Sequence, residues 1–294
     1  MKALSDNFRG ALMMAVAMLA FSSNDAAMKS LAGELPLFQA IFLRGIVTTV
    51  SMIILAGLFG QLRLRLGRQD FILICVRSLA EVAAAWTFLT ALFNMQLANV
   101  TAILQALPLV MTFAGALFLK EPIGWRRLSA SIIGFVGVLM IVQPGGESFN
   151  IYSIYALMSV GLIVIRDLAA RRMSSDVPSM FAATFAAGTV TVFAGFGSMF
   201  IEWAPVTGHS AALLGGAAAA VLIGYLMSVS AMRVGEISFV APFRYVGLLA
   251  SLILGVVIFG QLPSTLALLG CVVVVGSGLF IFRRERQLSE VEAK

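Results

Sequence analysis

The sequence predicts an all-α membrane protein with about ten transmembrane helices, arranged as two five-helix repeats of opposite orientation. The first observation is composition: 60% of the 294 residues are hydrophobic and 12% are charged, whereas a soluble domain is about half apolar and about a quarter charged. The second is a succession of apolar runs of about 20 residues, long enough to cross a ~30 Å hydrocarbon core as helices. The third is an internal duplication.

The duplication shows in the polar residues that interrupt the apolar runs. Asp25 and Asp167 lie 142 positions apart, and so do Pro36 and Pro178. Each repeat holds an odd number of helices, so the second repeat must cross the membrane upside down relative to the first. Inverted repeats are typical of secondary transporters that work by alternating access. The predicted repeats are residues 1–146 and 147–294.

Prolines and glycines between the apolar runs mark the helix ends. Pro108 and Pro242 instead fall inside the fourth and ninth runs, where a proline is expected to kink the helix or free a carbonyl. The helices are predicted near residues 9–31, 36–60, 70–94, 98–119, 125–143, 151–171, 178–202, 210–233, 236–259 and 263–282.

Basic residues occupy every second loop. They precede the first helix, follow the last, and fill the loops after helices two, four, six and eight. Cytoplasmic loops are enriched in Lys and Arg, so both termini are predicted to be cytoplasmic. The loops without Lys or Arg lie near residues 95–98, 144–150, 203–209 and 260–263.

Other classes of protein fit the sequence less well. The net charge of +6 is spread over several short loops, which disfavours nucleic acid as a partner. A membrane-embedded transferase needs a nucleophile and base or a metal-ligand cluster, but the single histidine, His209, lies in a loop and both cysteines lie in apolar runs. We therefore expect that the protein is not an enzyme and that it binds no cofactor or metal. A passive channel is the other alternative, although charges within the helices fit a binding site better than an open pore.

Ionisable residues inside the helices indicate the substrate site, because each costs at least a few kcal/mol in the membrane and so faces protein or water. At ~1.5 Å per residue, Arg44, Arg77, Glu81 and Arg244 lie about 12–18 Å from a helix end, near the bilayer midplane where transporter substrates bind. Arg77 and Glu81 form an i,i+4 pair, so mutual neutralisation is one alternative. Arg44 and Arg244 either pair with Glu81 or bind a carboxylate, phosphate or polarised carbonyl of the solute.

Three aromatic residues complete the predicted substrate-binding set: Trp86, Tyr225 and Tyr245. Aromatic rings stack on flat rings and on cations. Phe88 occupies the position equivalent to Tyr225, at an offset of 137. Packing between helices is the alternative for all of these rings.

A further polar set is predicted to act at the gates or in proton coupling. Counting along the helices places Asp25 toward the outer face and Asp167 toward the inner face, near opposite mouths of the pathway. A basic residue, Lys29 or Arg171, follows each aspartate four positions on, so local neutralisation is the alternative. The predicted gate or proton-coupling residues are Asn24, Asp25, Arg166 and Asp167.

The chain resembles EamA-type proteins of the drug/metabolite transporter superfamily. Residues 240–245 (VAPFRY) and 259–263 (FGQLP) are similar to their ninth helix and the loop after it, although Gln261 stands where a Glu is usual. Residues 107–108 (LP) and 119–122 (LKEP) are similar to the matching motif of the first half. The resemblance covers nearly the whole chain and implies ten helices, two EamA repeats and a multi-pass place in a bacterial inner membrane.

A shorter pattern resembles the riboflavin-transporter branch, which implies riboflavin or a related flavin as the solute. Export of an amino acid or another zwitterionic metabolite fits the charges about as well. The expected partners are a small-molecule substrate and the lipid bilayer, and a homodimer is left open. The pattern consists of Asn7-Phe8-Arg9-Gly10, Phe21, Asn24-Asp25, Lys29, Gln39 and Arg44-Gly45.

Overall fold

The computed structural model describes residues 6–61, 66–119, 125–143, 150–174, 176–234 and 240–292. Within these ranges all regular structure is helical. The predicted repeat boundary at residue 146 and most of the 119–122 motif lie outside them. The helices are α1 (Asp6–Ser30), α2 (Leu37–Leu58), α3 (Arg68–Asn94), α4 (Leu97–Leu104), α5 (Leu107–Leu119), α6 (Trp125–Val142), α7 (Ile151–Arg172), α8 (Ser179–Ser198), α9 (Gly208–Val234), α10 (Val246–Phe259) and α11 (Thr265–Glu292), with a 3-10 turn at Ala241–Tyr245.

Most of these helices have the length and composition of membrane spans. Within the described residues, six are long and apolar enough to cross a bilayer, namely α1, α2, α3, α7, α8 and α9. The predicted class, an all-α multi-pass membrane protein with about ten helices, is confirmed once the shorter apolar helices are included. These shorter stretches are Leu97–Met111, Leu128–Val142, Phe243–Phe259 and Thr265–Phe280.

The fourth and ninth predicted helices are both broken at their internal proline. α4 ends at Leu104, and α5 begins at Leu107, directly before Pro108. In the described part of the ninth, Val240 is helical, the 3-10 turn that follows contains Pro242, and the helix continues as α10. A proline lacks the N–H for the carbonyl four residues earlier, and its ring crowds that carbonyl. The predicted interruptions are thus confirmed, and they occur in helices that are repeat partners.

The helix contacts follow the predicted repeat, in which α1, α2 and α3 correspond to α7, α8 and α9, and α6 to α11. α1 packs along α9 as α3 packs along α7, while α2 packs on its own partner α8 and α6 on its own partner α11. Thr49 and Thr191, which are 142 positions apart, share a hydrogen bond of 2.9 Å between their hydroxyls. A contact between two equivalent residues marks the axis that relates the repeats.

Glycines bring α6 and α11 together backbone to backbone. A Cβ placed on Gly270 would lie 2.6 Å from the carbonyl oxygen of Gly137, and one on Gly137 would lie 2.9 Å from the carbonyl oxygen of Gly270. A Cβ on Gly134 would lie 2.6 Å from the hydroxyl of Ser277. Small residues allow this close approach in membrane proteins, so the crossing depends on the absence of side chains.

We expect Gly270→Ala to destabilise the protein by about 1–3 kcal/mol, the usual cost of overpacking, because the new methyl meets backbone that cannot rotate away. The measurement is the melting temperature of the purified protein in detergent. Gly276→Ala is the matched control on the same helix, since a Cβ there meets nothing within 4 Å. Equal melting temperatures for the two variants would contradict the close crossing.

One end of the bundle, formed by residues 31–36, 95–96 and 199–207, is fastened by buried polar groups and leucines. We call it the closed end. Nζ of Lys29 donates to the carbonyl oxygens of Leu92, at 2.9 Å, and Met95, and lies 5.7 Å from the ring centre of Phe259. A cation is favourable at a helix C-terminus, where carbonyls lack helical partners. Lys29 therefore binds the end of α3, and the alternative in which it neutralises Asp25 is wrong.

A second fastener at the closed end is the fully buried side chain of Gln39. Its amide nitrogen donates to the carbonyl oxygen of Ala204 at 2.8 Å, and its carbonyl oxygen accepts from the N–H of Ala204 at 2.9 Å. The bond ties α2 to the segment between α8 and α9. Buried amides need both kinds of partner, and Gln39 finds them on one residue.

Candidate functional site

Two adjoining chambers lie between the helices. The first chamber, with a volume of about 450 Å3, is lined mainly by α1, α3, α4, α7 and the 3-10 turn, with single residues from α2, α9 and α10. The second chamber, of about 390 Å3, is lined by α2, α3, α7, α8 and α9, with one residue from α1. Both have the size of small-molecule pockets, roughly 300–1,000 Å3. The side chains common to both linings are Phe21, Arg44, Glu81, Ala85 and Arg166.

The broken helices face the first chamber. Gln105 lies at the break between α4 and α5, and Arg244 lies in the 3-10 turn that precedes α10; both line this chamber. Interrupted helices occur in membrane proteins where they line a cavity, and transporter substrate sites are commonly built on them. Gln105 was not predicted as a site residue, although its position three residues before Pro108 was a usable signal.

Arg166 joins two carboxylates at the wall between the chambers. Its Nη1 donates to both carboxylate oxygens of Glu81, at 3.2 and 3.3 Å, and its Nε donates to Asp167 at 2.8 Å. The side chains of Arg166 and Glu81 are 26% and 27% exposed. The pair is thus largely removed from solvent and links α3 to α7.

This arrangement corrects the predicted placement of the gate residues near opposite mouths. Asn24, Asp25 and Arg166 line the first chamber and Asp167 lines the second, beside the residues predicted to bind substrate. Counting along single helices did not include the lateral packing of α7 on α3, which brings Arg166 to Glu81.

The pairing of Arg166 with Glu81 also changes the role of Arg77. Nη1 of Arg77 donates to the carbonyl oxygen of Ala182 on α8 at 2.9 Å. Glu81 is instead bound by Arg166. Glu81 therefore forms its ion pair between helices, while Arg77 remains within electrostatic range of Glu81 and lines the second chamber.

Asn24 connects Arg44 to Asp25. Nη1 of Arg44 donates to the side-chain oxygen of Asn24 at 2.9 Å, and the side-chain nitrogen of Asn24 donates to Asp25 at 2.9 Å. Asn24 is buried, and all three residues line the first chamber. The amide therefore fixes the direction of the Asp25 carboxylate and separates it from the guanidinium.

Arg244 differs from the other arginines of the two chambers. Arg44, Arg77 and Arg166 each donate to a protein acceptor. Arg244 lines the first chamber with an exposed side chain and makes no hydrogen bond or ion pair with any residue the structure describes. Its planar group of N–H donors is thus available within the cavity.

The predicted aromatic residues divide between the chambers and the helix packing. Tyr225 lines the second chamber, and its hydroxyl donates to the carbonyl oxygen of Ser179 at 3.1 Å. Trp86 packs edge to face on Tyr155 with ring centres 5.8 Å apart, outside both linings. Tyr245 is buried against Gly278 of α11 and also lies outside both linings. The rings that line the first chamber are Phe21 and Phe88.

Comparison with known proteins places the chain among transporters. Residues 8–143 match the EamA-like transporter family. An S-adenosylmethionine uptake transporter of Rickettsia bellii (strain RML369-C) is 24% identical over 274 residues, which cover 92% of each chain. A riboflavin transporter of Vibrio cholerae is 28% identical over 195 residues, which cover 65% of this chain and 64% of that one. A solved crystal structure that is 18% identical superposes with a TM-score of 0.68 over 95% of this chain and 98% of that one, which supports the fold.

Proposed function

Because residues 8–143 belong to the EamA-like transporter family and the chain is a membrane transporter of that type, we propose that it carries a small organic metabolite with a carboxylate, held by Arg244. The metabolite moves by alternating access. The chambers carry the binding site, and the closed end seals it from one side of the membrane.

The availability of Arg244 is the observation that carries this proposal. The two linings together hold four arginines and three carboxylates. Arg166 is paired with Glu81 and Asp167, whereas Arg244 is within electrostatic range of Asp167 but forms no ion pair with a described residue, so its guanidinium supplies the attraction for an anion. A planar guanidinium binds a carboxylate through two parallel hydrogen bonds.

The helix contacts support alternating access, because interchanging the two halves of the chain gives the same set of contacts. α1 with α9 and α3 with α7 are equivalent pairs in the two halves, which we assign to residues 1–146 and 147–294. Inverted repeats allow the two halves to exchange conformations around a fixed central site. Both chambers are lined by one chain, so this mechanism works in a monomer or in a homodimer.

The bacterial inner membrane, with both termini in the cytoplasm, is the proposed location. Lys and Arg are confined to alternate loops of the sequence, which is the pattern of cytoplasmic loops. The closed end is formed by loops without Lys or Arg. It therefore faces outward in this orientation.

Riboflavin is the second candidate solute. The similarity to the riboflavin transporter of Vibrio cholerae is 28% over 195 residues, and Phe21 and Phe88 line the first chamber. Aromatic rings stack on a flat ring system. A flavin would use these two rings and the donors of Arg244 on its carbonyl groups.

Exchange in proteoliposomes tests the proposal. The purified protein is reconstituted and loaded with unlabelled S-adenosylmethionine, riboflavin or succinate, and entry of the same labelled solute is followed. We expect exchange of at least one carboxylate-bearing solute, saturable and absent from empty liposomes. Exchange of riboflavin alone would favour the second candidate.

The alternatives of another class give different results in the same vesicles. A passive channel conducts ions without solute exchange, and that outcome would overturn the carrier proposal. A transferase alters its solute chemically, which chromatography of the recovered label detects. Among the described residues, no group of three or more His, Cys, Asp or Glu side chains is placed to hold a metal ion.

A further inference from the structure

The first chamber contains a carboxylate that forms no ion pair with any residue the structure describes. Asp25 lines this chamber, and its Oδ1 accepts a hydrogen bond from Asn24. In the described part of the chain, no lysine or arginine forms an ion pair with Asp25. A carboxylate has about four acceptor positions on its two oxygens, so one neutral amide leaves most of its capacity unused.

Neither of the two cations closest to Asp25 in the sequence and in the site forms an ion pair with it, although Arg44 acts on the carboxylate through longer-range electrostatics. Lys29, one turn further along α1, binds the carbonyl oxygens at the end of α3. Arg44 donates to the oxygen of Asn24, and the Asn24 amide lies between the two charges. Asn24 therefore acts as a positioning residue that holds the carboxylate in place while keeping it from an internal salt bridge.

Resting on the proposed carrier function, we infer that Asp25 binds a cationic group of the solute. The solute is then a zwitterion, with its carboxylate on Arg244 and its ammonium or sulfonium on Asp25. The two residues come from opposite halves of the chain, and α1 packs against the 3-10 turn that holds Arg244. One unpaired group of each sign in a single chamber of about 450 Å3 matches a solute that carries both charges.

Aromatic residues of the same chamber indicate which further group such a solute carries. Phe21 and Phe88 line the first chamber, and Phe21 is held against Gly224, where a Cβ would lie 2.7 Å from its ring. Aromatic faces attract cations and stack on flat rings. The site therefore suits an amino acid that bears a flat ring or a second cation, and S-adenosylmethionine is a probe with both features.

The test compares Asp25→Asn with wild type in the purified full-length protein. The binding of S-adenosylmethionine, which has a carboxylate and cations, is measured beside that of succinate, which has carboxylates alone. We expect Asp25→Asn to weaken S-adenosylmethionine binding by about tenfold or more, the scale of a lost charged hydrogen bond. Asp25→Glu should retain part of the affinity. Asp176→Asn is the matched control, since Asp176 is exposed and lines neither chamber.

Three outcomes would contradict the proposal of a zwitterionic solute without contradicting the proposed carrier function. The first is unchanged S-adenosylmethionine affinity in Asp25→Asn, with the loss of affinity confined to Arg244→Gln. The second is a wild type that binds succinate and no zwitterion. The third is equal loss of succinate and S-adenosylmethionine binding in Asp25→Asn with an unchanged melting temperature, because a cation subsite does not affect a solute without a cation. Absence of exchange for every solute counts against the proposed function itself.

Discussion

Arg244→Ala is expected to abolish solute exchange in proteoliposomes, with a loss of about 100-fold or more in the initial rate at low solute concentration. The reason is that a charged hydrogen-bonded contact between solute and protein is worth about 2–5 kcal/mol when one partner is truncated. Arg244 makes no hydrogen bond or ion pair with the residues the structure describes, and Asp167 acts on it only through longer-range electrostatics, so its removal should leave folding intact. The measurement is counterflow of labelled S-adenosylmethionine, beside the melting temperature.

Two variants sharpen this test. Arg244→Lys keeps the positive charge and loses the planar pair of donors, so it should retain exchange at a weaker affinity. Arg68→Ala removes an exposed arginine at the start of α3, outside both chambers, and should exchange solute as wild type does. Normal exchange by Arg244→Ala would remove this residue from the site and withdraw the main support for a carboxylate-bearing solute.

Arg166→Gln is expected to lower both stability and transport, because it leaves Glu81 and Asp167 together without their shared cation. An exposed ion pair is worth about 0–1 kcal/mol, whereas breaking a buried one costs about 3–5 kcal/mol. At 26% and 27% exposure, Arg166 and Glu81 lie nearer the buried case. We expect a loss of about 2 kcal/mol or more in the free energy of unfolding, measured by denaturation in detergent.

A double-mutant cycle measures the interaction energy between Arg166 and Glu81. Glu81→Gln added to Arg166→Gln removes one of the two uncompensated carboxylates and should recover part of the lost stability but not the transport. The matched control is Arg172→Gln on the same helix, where Nη2 donates to the carbonyl oxygen of Phe118 at an exposed position. Additive effects of Arg166→Gln and Glu81→Gln would show that the two side chains do not interact.

The sequence was sufficient for the architecture because the signals there are local or periodic. Hydropathy identifies spans, and Pro108 and Pro242 correctly predicted the breaks in α4 and before α10. The offset of 142 that relates Asp25 to Asp167 also relates Thr49 to Thr191, which touch in the structure. These features depend on covalent geometry and on helix length, which can be recognised from the residues of a single segment.

The pairing of charges within the site could not be read in the same way. An arginine in a spanning helix must face protein or water, so Arg44, Arg77 and Arg244 were recognised, and each lines a chamber. Their partners depend on which helices lie side by side and at what height, as with Arg166 and Glu81.

Aromatic residues were harder to place than charged ones. A helix in lipid is apolar on all sides, since lipid tails are as apolar as the protein core, and its hydropathy does not show which face is internal. Trp86 and Tyr245 therefore matched the pattern of chamber residues but pack on Tyr155 and Gly278. Phe21, which does line both chambers, was not among the predicted site residues, although it belongs to the pattern that resembles the riboflavin-transporter branch.

The hydrogen bond between Thr49 and Thr191 has a consequence for movement. When two repeats exchange conformations, each residue takes the surroundings of its equivalent, so a bond between equivalents looks the same before and after. Lys29 and the carbonyl groups at the end of α3 are not equivalent residues, so in the proposed cycle we expect their contact to form in one state only. In the proposed alternating-access cycle, we therefore expect the threonine pair to stay in place while the helices move around it and the contacts at the closed end open and close.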